Sequence, residues 1–133
     1  MKYEDFIKEV VKRGIEAVKR DYKDPGRKSI REGSMAGFTA CLGKKPLELL
    51  TLLNDANKKS HAETIKDSRN HDAYLYARGF VLEVEWVCNV VSCLLYNEGK
   101  PTLIPPTASA MIFASKIVGV KENTHEKNLL KDL

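Results

Sequence analysis

Residues 72–97, DAYLYARGFVLEVEWVCNVVSCLLYN, decide the fold and contain the chain's only tryptophan. Apolar side chains return at alternating three- and four-residue steps along two adjacent lines of this stretch. A helix that is apolar over most of its circumference is buried among neighbouring helices. The sequence therefore predicts a long central helix, whose polar residues form one narrow stripe: Arg78, Glu85, Asn89, Ser92 and Tyr96.

Four further helices are predicted from helical periodicity and from residues that start or stop helices. The sequence Ser29-Ile30-Arg31-Glu32 has the form of a capping box, Pro46 suits a first helical turn, and Thr107 can cap the helix that follows it. The predicted helices cover residues 3–22, 29–43, 46 to about 58, and 108–118.

The remaining segments are polar. Residues 60–71, SHAETIKDSRNH, are typical of a frayed helix end or a surface loop, and the tail 121–133 is expected to fray. No stretch alternates apolar and polar residues between turn signals, as a β-strand would. We therefore expect residues 1–133 to form one all-α domain, a bundle of about five helices around the central helix.

Two glycines in the second predicted helix indicate close packing. Gly33, Gly37 and Cys41 follow one another at four-residue spacing, so they share one helix face. A glycine inside a helix lowers its stability by about 1 kcal/mol relative to alanine. Their presence favours the close approach of another helix along this face.

Composition indicates a soluble, cytoplasmic protein. The chain has 133 residues, of which 43% are hydrophobic and 30% charged. The uncharged run 86–96 is much shorter than the roughly 20 apolar residues that span a bilayer, so no membrane association is expected. Three cysteines in apolar surroundings favour free, buried thiols in a reducing compartment.

The net charge of +4 is unevenly distributed. Residues 1–66 carry 15 Lys or Arg against 10 Asp or Glu, an excess of five positive charges. Such an excess is compatible with RNA binding. Several of these lysines instead follow the spacing of an exposed face of the first helix, which favours solvation over a binding role.

Four residues are candidates for a functional site. Glu83 interrupts an apolar line of the central helix, where a carboxylate requires a partner or a raised pKa. It is either a catalytic or metal-binding acid, or a surface-reaching carboxylate paired with a lysine or arginine. Glu85 and Asn89 lie one turn apart on the polar stripe, and Glu32 lies on the second helix.

A zinc site of the nucleobase-deaminase type is excluded. His61 and Glu63 match the first half of that motif, but Cys88 and Cys93 do not match the second. These cysteines are five residues apart in a helix, so they point about 140° away from each other. Neither one lies near a base or a helix N-terminus, and core packing is expected for both.

Residues 77–100, ARGFVLEVEWVCNVVSCLLYNEGK, resemble the late helix of ribonuclease III catalytic domains. The resemblance lies in an acidic, aromatic helix that ends in Leu95-Tyr96-x-x-Gly99. It implies an all-α, dimeric fold that cuts double-stranded RNA with carboxylate-bound magnesium. The acidic signature of that family, Glu-x-Leu-Gly-Asp, has no counterpart, because residues 31–43 offer only Glu32.

Three functions follow as hypotheses. The first is a non-enzymatic helical module that self-associates, as a dimer, or binds a partner, with no cofactor and no metal. The second is an RNA-binding or ribonuclease III-like domain without the full catalytic signature. The third is a metal-dependent hydrolase that uses Glu32, Glu83 or Glu85, and Mg²⁺ is expected only with the second or third.

Overall fold

The computed structural model describes residues 1–65 and 71–119, which form five α-helices and no β-strand. The predicted all-α bundle around a long central helix is confirmed, since α4 has 27 residues and contacts the other four helices. The helices are α1 Tyr3–Asp21, α2 Lys28–Ala40, α3 Pro46–Ile65, α4 His71–Asn97 and α5 Ala108–Gly119.

Helix α4 supplies the middle of the hydrophobic core. Val84, Val87, Cys88, Val90 and Val91 are each 0% exposed, so the helix is covered on several sides at once. Every other helix adds side chains to the same core cluster. Full burial of a valine side chain contributes about 1.5–3 kcal/mol relative to leaving it exposed, so these residues of α4 supply a large share of the core's stabilisation.

Helices α1 and α2 run antiparallel beside this core. The Tyr3 hydroxyl donates to the Lys44 carbonyl at 2.8 Å, near one end of the pair. At the other end the Arg31 guanidinium donates to the Tyr22 carbonyl at 3.1 Å. These two hydrogen bonds fix the register between α1 and α2.

The closest helix contact is between α2 and α4. A Cβ at Gly33 would overlap the backbone carbonyl of Tyr76, and one at Gly37 would lie 2.6 Å from the carbonyl oxygen of Phe80. From the α4 side, a Cβ at Gly79 would lie 2.5 Å from the carbonyl oxygen of Ile30. The close packing predicted from Gly33 and Gly37 is confirmed, and it is a contact of backbone against backbone.

The boundaries of α2 differ from the prediction. The helix begins at Lys28, directly after a 3-10 turn at Pro25–Arg27, and its N-cap Arg27 makes no side-chain capping bond. The predicted capping box at Ser29 is therefore wrong, because the 3-10 turn already directs the chain into the helix. The helix ends at Ala40, and Gly43 provides the left-handed position (φ 73°) of the turn that follows.

Helix α3 is longer than its apolar pattern indicated. It begins at Pro46 as predicted but continues to Ile65, so the expected loss of helix near Lys58 is wrong. Residues 60–65 remain helical, and Ser60 is buried. Residues 66–70 of the stretch predicted to be a frayed helix end or a surface loop, and the polar tail 121–133, lie outside the described residues.

The predicted end of α4 and the predicted cap at the start of α5 are confirmed by hydrogen bonds. At the end of α4, Gly99 is left-handed (φ 71°), and the Lys100 amide donates to the Leu95 carbonyl at 2.8 Å, as in a Schellman motif. The hydroxyl of Ser92 accepts from the amides of Leu103 and Ile104 and holds the following connection against α4. Thr107 then caps α5 by accepting from the Ala110 amide at 3.2 Å.

By length and composition alone, α4 could also cross a membrane. Its most apolar 18-residue window has a mean hydropathy of 1.5, and half of that window is buried inside the bundle. A core helix of a helical bundle meets the same criteria, and the contacts of α4 with all four neighbours are of that kind. The expected absence of membrane association stays a prediction.

The variant Gly33→Ala is expected to lower the free energy of unfolding by about 1–2 kcal/mol. Its methyl group would overlap the Tyr76 carbonyl, and the cost of overpacking exceeds the roughly 1 kcal/mol that alanine adds to helix propensity. Urea unfolding followed by circular dichroism measures the change. Thr39→Ala, on the exposed side of the same helix, is the control and should stay within about 0.5 kcal/mol of the unsubstituted protein. Equal stability of Gly33→Ala and this control would contradict the close contact.

Candidate functional site

The side chain of Glu83 lies in a groove of about 320 Å³ between α1, α2, α4 and α5, here called the Glu83 groove. Glu83 is accompanied there by two other charged residues, Arg13 and Asp21. Most of the lining is apolar or aromatic. Four aromatic residues line it, Tyr22, Phe38, Trp86 and Phe113, and the α1 side adds Gly14, Ala17 and Val18.

Phe38 is placed in the groove by the packing of α2 on α1. The side chain is 2% exposed, and its ring lies directly against Gly14 of α1. A Cβ at Gly14 would overlap this ring, so the absence of a side chain allows the two helices to approach. The ring thereby closes the inner side of the groove.

Trp86 and Phe113 form the wall between α4 and α5. Their rings pack edge to face, with centroids 5.4 Å apart and an interplanar angle of 65°. Such pairs add about 0.5–1.5 kcal/mol beyond the area that they bury. Trp86 lies three residues after Glu83, so both side chains project from the same side of α4.

The carboxylate of Glu83 is half-buried and makes no hydrogen bond or ion pair with the residues that the structure describes. The expected lysine or arginine partner is therefore not found there. Burial in the groove raises the pKa of Glu83 from 4.5 to about 7. Near neutral pH the group is present in both its charged and its neutral form.

The other charged residues of the groove are already paired. Arg13 Nε lies 2.9 Å from Glu9 Oε1, one turn back along α1. Asp21 Oδ1 lies 3.0 Å from Nε of Arg20, in an exposed pair. Glu83 is thus the one charged residue of the groove lining without an ion-pair partner among the described residues.

The remaining sequence candidates do not join Glu83. Glu85 is exposed, and two residues of helix turn it about 200° from Glu83. Asn89 is half-buried, with its Oδ1 atom buried and without a hydrogen-bond partner in the described part of the chain. Glu32 is exposed, 4.0 Å from the Lys28 ammonium, and Ser92 of the polar stripe faces the connection to α5. The four candidates therefore do not form one site.

Glu32 lines a second groove, of about 360 Å³, at the other end of the α2–α4 contact. Tyr76 of α4 also lines it, seven residues before Glu83 and thus roughly 10 Å along the helix axis. Acidic residues from three helices line this groove, but the described residues contain no group of three His, Cys, Asp or Glu side chains with the geometry to hold a metal ion. Its charged residues are Glu32, Lys59, Glu63 and Asp72.

All three cysteines are buried free thiols, as predicted. Burial raises the pKa of Cys41 and Cys88 to about 12, and that of Cys93 to about 11. Each thiol donates to a backbone carbonyl, and the Cys88 bond to Leu49, at 3.6 Å, joins α4 to α3. Since the thiolate is the nucleophile, thiols with such pKa values pack the core and are poor nucleophiles at neutral pH.

The aromatic lining was not recognised in the sequence. Trp86 is apolar in context and indicates only core packing, and Tyr22, Phe38 and Phe113 are far from it in the chain. The one available signal was the position of Glu83 within an apolar line, one turn before the only tryptophan. That signal indicates a carboxylate beside an aromatic ring, but it does not show which residues of the other helices lie next to them.

Comparison with known proteins does not assign this site. No family model, no curated protein and no solved structure matches the chain. The resemblance of residues 77–100 to ribonuclease III stays a prediction. A function for the Glu83 groove therefore has to come from its own chemistry.

The variant Glu83→Gln is expected to be more stable than the unsubstituted protein at pH 8, by about 1–2 kcal/mol, and equal to it at pH 4. As pH rises from 4.5 to about 7, the unfolded chain loses the Glu83 proton before the folded chain does. The stability present at low pH is therefore lost across that interval. Because water reaches Glu83 from the open side of the groove, the stability difference is smaller than the free energy that corresponds to the full pKa shift.

Urea unfolding at the two pH values measures this difference. Glu85→Gln is the matched control, because it removes an exposed carboxylate two residues away on the same helix. A Glu83→Gln variant with the same stability gain at pH 4 and pH 8 would contradict a buried, ionisable Glu83.

Proposed function

We propose that this protein is a non-enzymatic helical module that binds a partner through the Glu83 groove. One observation carries the proposal: an unpaired, half-buried carboxylate lies among four aromatic side chains in a preformed concave surface. Ligand sites are typically concave and mostly apolar, with a few polar groups that orient the ligand. The volume of about 320 Å³ falls at the lower end of the range for such sites.

Binding is favoured over catalysis by the number of groups that are free to react. General acid–base chemistry uses a titrating group together with a second base, nucleophile or metal within hydrogen-bonding reach. In the groove, Asp21 and Arg13 are held in ion pairs with residues of their own helix. Glu83 supports recognition of a ligand without needing a second reacting group.

The partner-binding proposal predicts a saturable response of Trp86 fluorescence. Trp86 is the only tryptophan and lines the groove, so any ligand there changes its emission. The probes are N-acetyl amino acid amides with cationic, neutral or anionic side chains, and at least one class should bind. The variant Ala17→Phe, which fills the groove from α1, should weaken that binding at least tenfold.

Ala62→Phe is the matched control, because it adds the same ring at an exposed alanine of α3 outside the groove. It should bind as the unsubstituted protein does. Circular dichroism and melting temperature show that both variants are folded. The proposal fails if no probe saturates, or if Ala17→Phe responds as the control does.

Self-association, the other mode predicted for such a module, is favoured by two exposed leucines. Leu47 is 75% exposed and Leu42 is 42% exposed, and they flank the connection between α2 and α3. Exposed apolar patches mark association surfaces, and a two-fold dimer would bury the same patch of both copies. We place the dimer contact at this corner of the bundle.

The variant Leu47→Lys is expected to shift the dimer toward monomer in sedimentation velocity, because a charge would be buried at the centre of the contact. Ile112→Lys is the control, since Ile112 is 49% exposed but lies on α5. It should sediment as the unsubstituted protein does. A monomeric unsubstituted protein, or a dimer that only Ile112→Lys dissociates, would contradict this placement.

A further inference from the structure

We infer that the Glu83 groove recognises the guanidinium group of an arginine side chain on a partner protein. The inference rests on the proposed function and adds the chemical class of the ligand. Its basis is the charge left free in the groove, the aromatic lining around that charge, and the size and opening of the groove.

The charge that the groove presents to a ligand depends on the ion pairs around it. Arg13 is paired with Glu9 at 2.9 Å, and Asp21 forms an exposed pair with Arg20 at 3.0 Å. Glu83 has no such partner among the described residues, so the groove offers one uncompensated carboxylate. A cation that enters the groove gains a charge-assisted hydrogen bond and the attraction of opposite charges, whereas a neutral donor gains only the hydrogen bond and an anion is repelled.

The lining favours guanidinium over ammonium. Guanidinium is planar, stacks on aromatic rings and is more weakly hydrated than ammonium, so it enters a partly buried aromatic groove at a lower desolvation cost. The protein already shows this contact, because Cζ of Arg27 lies 5.8 Å from the centroid of the Tyr22 ring. Trp86 and Phe113 offer further rings beside the carboxylate.

The dimensions favour a side chain that enters from the surface of a partner. A groove of about 320 Å³ is small for a drug-sized ligand but holds one long side chain. The methylene stem of an arginine can pack on the aromatic rings while its head reaches Glu83. A free guanidine lacks the stem and would lose this contact.

The decisive experiment compares three blocked amino acids by Trp86 fluorescence: N-acetyl-arginine amide, its neutral isostere N-acetyl-citrulline amide, and N-acetyl-lysine amide. Arginine should bind at least tenfold tighter than citrulline and several-fold tighter than lysine. Methylguanidine, which has the head group without the stem, should bind several-fold more weakly than blocked arginine. Equal binding of methylguanidine would identify a small free cation as the ligand and overturn the inference.

Two further variants test the role of Glu83 itself. Glu83→Gln should reduce the preference for arginine over citrulline about tenfold, while Glu83→Asp, which keeps the charge, should retain part of it. Blocked arginine should also bind roughly tenfold more weakly at pH 6 than at pH 8, because the ionised fraction of a group with a pKa near 7 falls from about 0.91 to about 0.09. The other titratable or charged groups that line the groove are Arg13 and Asp21 on α1 and Tyr22 directly after it.

The outcomes separate the inference from the proposed function. Saturable binding of neutral or anionic probes that Ala17→Phe removes, without a preference for arginine, overturns the guanidinium assignment and leaves the binding module intact. An arginine preference that survives in Glu83→Gln also overturns it. If no probe binds in the groove, both the inference and the proposed function fail.

Discussion

The backbone contact between α2 and α4 is the constraint on which the rest of the structure depends. Gly33, Gly37 and Gly79 remove the side chains that would separate the two helices, so carbonyl groups of one helix lie against Cα atoms of the other. The neighbours of these glycines then have fixed positions. Phe38 follows Gly37 and packs on α1, and Glu83 lies one turn beyond Phe80, at the edge where α1 and α5 meet α4.

The fold was largely predictable from the sequence because its signals are local. The bounds of α4, the glycine that ends it and the threonine cap of α5 depend on residues within a few positions of each other. The N-cap of α2 and the end of α3 were predicted wrongly for two different reasons. A 3-10 turn replaced the capping box at Ser29, and tertiary packing kept α3 helical through a polar stretch that contains the buried Ser60.

The candidate site was predictable only in part, because it is assembled from four helices. A carboxylate within an apolar line of α4 was visible in the sequence, and its raised pKa follows from that position. The partners in space, Tyr22, Phe38 and Phe113, are distributed over 92 residues of sequence, from 22 to 113, and no periodicity relates them. Arg13 forms a local i,i+4 pair with Glu9 on its own helix, and the sequence does not show that it also lies beside Glu83 in the groove.

At Glu83, the side chain that would be best for stability differs from the one that the proposed function requires. A glutamine or an apolar side chain would fit the same position without the desolvation penalty that a carboxylate pays as it ionises. Several buried polar groups elsewhere are satisfied, since each buried thiol donates to a carbonyl and Ser92 accepts from two backbone amides, whereas Ser34 Oγ and Asn89 Oδ1 have no hydrogen-bond partner in the described part of the chain. A cation that entered the groove would stabilise the ionised form of Glu83 and offset this desolvation cost. We therefore connect the cost at Glu83 with the proposed binding, because no contact within the described part of the chain offsets it.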